Sequence, residues 1–265
     1  MARRRIDSLL AERGLARSRA SAAGEVRAGR VRIGRHGEVA AKPGQLIAED
    51  AELAVDPGPA YASRGGLKLE RALGELDVPV AGRLCADIGA STGGFTDCLL
   101  QHGAARVIAL DVGRGQLDWR LRSDPRVVAM ERVNARGLTA ERLPFRPSLA
   151  TIDVSFISLA KVLPAIRSCL DDDGDILALV KPQFELDRHR VGSRGVVREP
   201  AARREAITGV AEAARRLDLR VRGMASSGLP GPKGNRESFL WLASAGVAVG
   251  DVEAEARRID PDEGG

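Results

Sequence analysis

Four ionisable residues stand at positions from which they could face one pocket. Lys68 precedes the first strand-like apolar run of the C-terminal part, Asp153 ends the fourth in Asp153-Val154-Ser155, Lys181 ends the fifth in Lys181-Pro182-Gln183-Phe184-Glu185, and Glu237 opens the last in Gly234-Asn235-Arg236-Glu237. The lysines stand out because only five of the 41 basic residues are lysine: Lys42, Lys68, Lys161, Lys181 and Lys233. A GC-rich genome accounts for the bias itself. Arginine, however, keeps its charge at any working pH, whereas lysine can lose a proton in a suitable site. Ordinary surface ion pairing explains any one of the four more readily than it explains the set.

A second constellation is the turn Asp87-Ile88-Gly89-Ala90-Ser91-Thr92-Gly93-Gly94-Phe95-Thr96. Its glycines let a ligand approach backbone closely, and the following helix starts with its amides directed at that ligand. Dinucleotide enzymes use Gly-x-Gly-x-x-Gly for a pyrophosphate. Here the turn opens on the acidic Asp87, which favours a cationic ligand over a phosphate. Asp111, at the end of the next strand, is placed to accept both hydroxyls of a ribose. S-adenosyl-L-methionine, with an amino-acid tail, a ribose and no phosphate, fits this pair better than NAD. The predicted cofactor site is therefore Asp87, Gly89, Ser91, Thr92, Gly93, Gly94, Phe95, Asp111 and Asp153.

The elements that must hold these residues alternate. Strand-like runs over 84–88, 106–112, 127–130, 149–154, 175–180, 219–224 and 238–243 are interleaved with helical stretches over 96–102, 159–170 and 201–217. Such alternation predicts a doubly wound α/β sheet with ligands at the strand carboxyl ends, and the last two runs, with no helix between them, predict an antiparallel hairpin edge. With 265 residues, 44% of them hydrophobic, the chain can bury a core and divide into unequal domains. Its apolar runs of about seven residues fall far short of the ~20 that a membrane helix needs. Three scattered cysteines, Cys85, Cys98 and Cys169, suggest reduced thiols in a cytoplasm rather than a disulfide frame, and three scattered histidines offer them no zinc site.

Charge is uneven. Residues 1–35 carry ten arginines against Asp7, Glu12 and Glu25, so the net +5 of the chain is a basic start attached to a slightly acidic remainder. Ile6, Leu9 and Leu10 predict a short helix closed at Gly14, and Ser18 caps a second that ends at Gly29 before the strand-like 30–33. Residues 45–55 are expected to pair with that strand. Arg13, Arg17, Arg19, Arg27, Arg30 and Arg32 then crowd around one helix pair, a surface suited to phosphates, with a merely solvated charge run as the alternative. The order Arg-Ile-Asp-x-Leu-Leu, Gly-Leu-Ala-x-Ser-Arg and Ala-Gly-x-Val-x-Ile resembles the S4 RNA-binding domain over residues 1–56; Asp56-Pro57-Gly58-Pro59 begins a linker over 57–63, and residues 64–265 form the larger domain. The shortage of aromatics at this end predicts reading of RNA shape and phosphate rather than base stacking.

Ser63-Arg64-Gly65-Gly66-Leu67-Lys68-Leu69, residues 87–96, Asp153-Val154-Ser155-Phe156-Ile157-Ser158, Val180-Lys181-Pro182-Gln183-Phe184-Glu185 and Gly231-Pro232-Lys233-Gly234-Asn235-Arg236-Glu237 together resemble the TlyA family, which joins an S4 domain to an FtsJ-type methyltransferase. The resemblance implies a Rossmann-like class I methyltransferase with a seven-stranded sheet, and transfer of a methyl group from S-adenosyl-L-methionine to the ribose 2′-oxygen of cytidine in rRNA of the 30S subunit, the 50S subunit or both. It also implies a catalytic tetrad of Lys68, Asp153, Lys181 and Glu237. A ribose hydroxyl is a poor nucleophile and needs a base in line with the sulfonium methyl. The expected roles are Lys181 as base, Lys68 as the cation that depresses its pKa and steadies the alkoxide, and the two acids as orienting groups. No metal is implied, because the sulfonium is already activated.

By resemblance Asn134 lines the adenine side, with an ordinary loop turn as the rival reading. Arg4 and Arg64 join the RNA-facing arginines, as do Arg188 and Arg194, which lie with Arg190 and Arg198 in a glycine-containing loop beside Lys181. The residues before Ser63 depart from the Arg-x-Trp-Val of some relatives and read Pro59-Ala60-Tyr61-Ala62, which puts their coupling of RNA docking to cofactor binding in question here. Two rival classes are a haemolysin-like membrane-active protein and an RNA-binding protein without catalysis. A cytoplasmic monomer on ribosomal RNA, without a membrane partner, is the expected setting.

Overall fold

In a computed structural model, residues 2–192 and 194–262 are described, and the chain divides into two compact units, Met1–Ala60 and Tyr61–Gly265. In the first, strand β1 (Arg3–Arg5) leads into helix α1 (Ile6–Glu12), followed by α2 (Arg19–Arg27), β2 (Val31–Ile33), β3 (Glu38–Val39), β4 (Leu46–Ala48) and β5 (Leu53–Val55). Ile6, Leu9 and Leu10 on α1 pack with Ala22 and Val26 on α2 and with Val31 and Ile47, so the thin apolar stripes do make a core. The Ser18 hydroxyl accepts from the Ser21 amide, and Gly14 and Gly29 take φ of 71° and 69° just past the two helices, where a left-handed residue ends the coil.

Two expectations for this unit need correction. The stretch 45–55 is not one strand beside 31–33: a turn in which Ala51 N donates to Ala48 O splits it, β5 pairs with β2, and β4 pairs antiparallel with β1. The expected linker over 57–63 also ends early. Tyr61 is buried in the second unit, its ring filling the space that Gly66 leaves, and Ser63 accepts from the Gly65 amide to cap the next helix.

The second unit begins with α3 (Arg64–Leu76) and then alternates β6 (Leu84–Ile88), α4 (Gly94–Gln101), β7 (Arg106–Asp111), α5 (Trp119–Arg122), β8 (Val127–Glu131), β9 (Leu149–Ile152), α6 (Leu163–Cys169), β10 (Asp175–Val180), α7 (Pro182–Glu185), α8 (Pro200–Arg215), β11 (Arg220–Ser226), β12 (Ser238–Ala243) and α9 (Val252–Ile259). One seven-stranded sheet results, in the order β11-β12-β10-β9-β6-β7-β8. The five central and right-hand strands are parallel; β12 runs antiparallel to β10 and to β11. Because β6 and β9 are neighbours whose chains leave in opposite directions across the sheet, their carboxyl ends flank the topological switch point, where open α/β sheets bind ligands. The predicted helix over 159–170 is instead a 3₁₀ turn at Leu159–Lys161 followed by α6, whose start is set by Pro164 in its first turn. Among the described residues no helix is long and apolar enough to cross a membrane.

At the amino ends of the strands Asp175 ties the sheet together, accepting from Arg83 Nη1 at 2.6 Å and from the buried Trp241 Nε1 at 3.0 Å. Asp175→Ala leaves the buried Trp241 Nε1 without its acceptor and takes the carboxylate from Arg83, whose guanidinium keeps Pro79 O and Ser148, and the expected cost is about 2 kcal/mol of unfolding free energy in urea titration.

Candidate active site

Asp87 is fully buried at the end of β6. One carboxylate oxygen accepts from the Thr96 amide at 2.8 Å and hydroxyl at 2.7 Å, while Oδ1 is buried without a partner. Burial, aided by the Asp153 and Asp111 carboxylates, pushes the Asp87 carboxyl up to about 7 against the opposing Thr96 bonds. Next in the chain, Gly89 holds φ at 89°, and a Cβ there would lie 2.4 Å from the Asp153 carbonyl oxygen. The β6 and β9 ends can meet this closely only through glycine. Gly89→Ala is expected to cost about 3 kcal/mol in urea unfolding, from left-handed strain plus the clash.

Three cavities line up along the strand ends. The central one, about 390 Å³, has on its wall Arg64, Lys68, Asp87, Gly89, Ser91, Thr92, Gly94, Phe95, Asp153, Lys181 and Glu237. In it Lys68 Nζ lies 2.5 Å from Glu237 Oε2, a pair only 8% and 2% exposed, and Lys181 Nζ lies 2.5 Å from Asp153 Oδ1 and donates to Ser155 Oγ at 3.1 Å. The tetrad thus meets as two lysine–carboxylate pairs in one space. On one side a cavity of about 400 Å³ shares Gly89, Ser91 and Asp153 and adds Asp111, Gln116, Val133, Asn134 and Ile157. Asp111 has each carboxylate oxygen engaged by an amide, Ser91 N at 2.8 Å and Gly113 N at 2.6 Å, so a ribose would use its remaining lone pairs. Asn134 caps a 3₁₀ turn through Arg136 N, and it also lines this cavity. Gly93 is the exception to the predicted cofactor wall: at φ 95° it is turned toward Leu117 and Leu121 and acts in the turn.

On the other side a cavity of about 330 Å³ shares Lys181 and Glu237 with the central one and includes Ser155, Gln183, Lys233 and Asn235. Phe156, with φ of 64° and 91% exposed, packs at its mouth against Phe184 with the rings tilted by 48° and their centroids 5.1 Å apart. Glu185, whose carboxyl burial pushes up, accepts from Ser158 Oγ at 2.6 Å and Leu159 N at 2.9 Å, pinning the loop that carries Asp153, Ser155 and Phe156 to the turn that carries Lys181. Gln116, Ser155, Phe156, Glu185 and Asn235 carry no expected role from the sequence; the signal for them is their place within the TlyA-like motifs or close after Asp111.

The predicted RNA-facing arginines divide. Arg4 is paired with Glu12 and Glu49, Arg19 with Asp7 and Arg30 with Glu25, and Arg13 donates to the carbonyls of Ala51 and Glu49. Arg17 and Arg27 are exposed with no such partner among the described residues, as are Arg188 and Arg194. Arg64 donates to Pro230 O at 3.4 Å and stands on the central cavity.

The two side-by-side cavities joined at Gly89 suit a ligand with a cationic end at Asp87, a ribose at Asp111 and a flat base against Val133 and Ile157. Residues 61–244 match the FtsJ-like methyltransferase family. The chain is 52% identical over 245 residues, 91% of each chain, to the 16S/23S rRNA (cytidine-2′-O)-methyltransferase TlyA of Mycobacterium tuberculosis. It is also 37% identical, over 88% of this chain and 97% of the other, to Hemolysin A of Brachyspira hyodysenteriae. A solved structure of a hemolysin-named protein from Streptococcus thermophilus superposes with a TM-score of 0.72 at 40% identity, covering 98% of this chain and 96% of that one. By fold and by sequence, the chain belongs to the TlyA branch of the FtsJ-like methyltransferases.

Proposed function

We propose that this chain transfers the methyl group of S-adenosyl-L-methionine to the ribose 2′-oxygen of cytidine in ribosomal RNA. The observation that carries the reading is the meeting of Lys68–Glu237 and Lys181–Asp153 in the cavity that also holds the Asp87 turn. When bound, S-adenosyl-L-methionine supplies a sulfonium-activated methyl group. The orphaned Oδ1 of Asp87 fits its α-amino group, and the lone pairs left on Asp111 fit its ribose. Lys181, in its free-amine form, takes the proton of the 2′-hydroxyl as the oxygen–carbon bond forms and the methyl carbon–sulfur bond breaks, the electron pair leaving on the sulfur, with Asp153 and Ser155 fixing where its amine points. Lys68, held by Glu237, stays a fixed cation beside the developing alkoxide.

The exposed Phe156 at the mouth of the third cavity gives an unstacked base a face to rest on, which supports RNA rather than a small hydroxyl compound as the acceptor. Residues 1–56 serve as the S4-like docking module in this reading, with Arg17 and Arg27 open to phosphates. A ribosomal substrate places the work in the cytoplasm. The hemolysin names on some relatives suggest lysis, yet a lytic protein has no use for two lysine–acid pairs, one of them buried, around a ligand cavity. The test incubates purified protein and labelled S-adenosyl-L-methionine with separated 30S and 50S subunits and maps the product by mass spectrometry. Label on a cytidine ribose in either subunit is the expected result; no label, or label on a base, overturns the reading.

A further inference from the structure

Asn235 is 1% exposed and does no chemistry in the scheme above, yet both ends of its carboxamide are engaged. Its Oδ1 accepts from Val197 N at 2.9 Å and its Nδ2 donates to Gly195 O at 2.8 Å. A buried amide is stable only when its donor and acceptor are both satisfied, and one satisfied by two main-chain groups fixes the distance between the segments it bridges. One of those segments is Gly195–Val197, and its far side is anchored: Arg203 donates to the Arg198 carbonyl and makes a two-point pair with Asp260 at 2.6 and 2.8 Å. The other segment is the turn that ends in Glu237. There Gly231 N donates to the Asn235 carbonyl at 2.9 Å and Gly234 N to the Gly231 carbonyl at 2.9 Å, and a Cβ on Gly231 would lie 2.4 Å from Glu237 Oε1. Displacement of Asn235 therefore moves Gly231, and Gly231 is in contact with the carboxylate that holds Lys68.

We infer that Asn235 is a positioning residue for the Lys68–Glu237 pair, clamping the Glu237 turn to the anchored 195–198 segment so that the Lys68 ammonium sits where the alkoxide develops. The inference rests on the methyl-transfer reading. It separates two roles within one short motif, Asn235 setting the place of the pair and Glu237 holding the cation.

The test compares Asn235→Ala, Asn235→Asp and the parent, with Asp175→Ala as a control whose lesion lies at the opposite end of β10 from Lys181. Methyl transfer is measured with S-adenosyl-L-methionine and ribosomal subunits both varied, alongside melting temperature. Asn235→Asp is isosteric and keeps the Val197 bond, but sets a carboxylate against the Gly195 carbonyl. Both Asn235 variants are expected to lose about 30-fold in kcat, since misplacement of a reacting group by about an ångström costs up to ~100-fold. KM for S-adenosyl-L-methionine should stay within about threefold, because Asn235 is on the wall of neither cavity assigned to it. Asp175→Ala should lower the melting temperature and keep the parent kcat. Parent-like kcat in the Asn235 variants, or a loss that only follows the folded fraction, overturns the positioning role while leaving the enzyme assignment intact. Absence of turnover in the parent overturns the functional reading itself, and the positioning role with it.

Discussion

Lys181→Arg leaves the protein folded, with S-adenosyl-L-methionine and rRNA affinity within about threefold of the parent, and lowers single-turnover methyl transfer by about a thousandfold. Arginine preserves the positive charge, and its guanidinium can still pair with Asp153, so the electrostatics of the cavity are nearly kept. What it cannot do is release a proton at any working pH. A loss of this size therefore isolates proton acceptance from charge. Lys68→Arg supplies the contrast, because a fixed cation is all that is asked of that position; turnover there should fall by about tenfold, from imperfect fit beside the buried Glu237. Rates from quenched single-turnover reactions on mapped subunits decide it. If Lys181→Arg retains more than about a tenth of the parent rate, Lys181 is not the base.

The strand ends were legible because buried parallel strands read as short apolar runs, and every run from 84–88 to 238–243 proved to be a strand of the one sheet. A chemistry-bearing residue at the carboxyl end of such a run or just past it lies at the switch-point face whatever the loops do, which is why Asp87, Asp153 and Lys181 were placed from sequence alone. Which lysine faces which acid was not readable: Lys68 and Glu237 are 169 positions apart, and only the insertion of β12 beside β10 brings them together. β1 escaped notice for the opposite reason. Three consecutive arginines carry no apolar signal, and they form a strand because β4 offers its edge.

Local capping misled in a different way. Arg13 looked like a phosphate ligand by charge, yet its guanidinium holds the carbonyls of Glu49 and Ala51. The helix α9 was legible in retrospect: Asp251 accepts from the amides of Glu253 and Ala254, and Val252, Ala256 and Ile259 repeat at helical spacing, but eight residues after a glycine-rich loop make a faint pattern.

S-adenosyl-L-methionine affinity is expected to rise as pH rises from 6.0 to 7.5, by about sixfold, and to fall again above about pH 8. The free Asp87 carboxyl titrates at about 7, so below that pH it is mostly the neutral acid, which must give up its proton before it can face an ammonium group. Each ligand bound at low pH thus releases close to one proton, a quantity that calorimetry in two buffers of different ionisation enthalpy reads directly. The descending limb belongs to the ligand, whose own α-amino group loses its charge near pH 8.

Asp87→Asn keeps the size and the acceptor toward Thr96 but never ionises; its affinity should be about a hundredfold weaker at pH 7.5 and should no longer rise between pH 6.0 and 7.5. The same change should stabilise the unliganded fold. A carboxyl whose pKa is raised on folding contributes stability while it is protonated and loses that contribution as pH climbs from about 4 to about 7, so above neutrality the parent carries a buried, uncompensated charge that the variant lacks. Higher melting temperature at pH 8 together with weaker cofactor binding is the signature of a group kept for its ligand at the expense of the fold. A parent affinity that does not change between pH 6.0 and 7.5 removes Asp87 from the ammonium contact, because a neutral acid buried at that position cannot bind a cation without titrating.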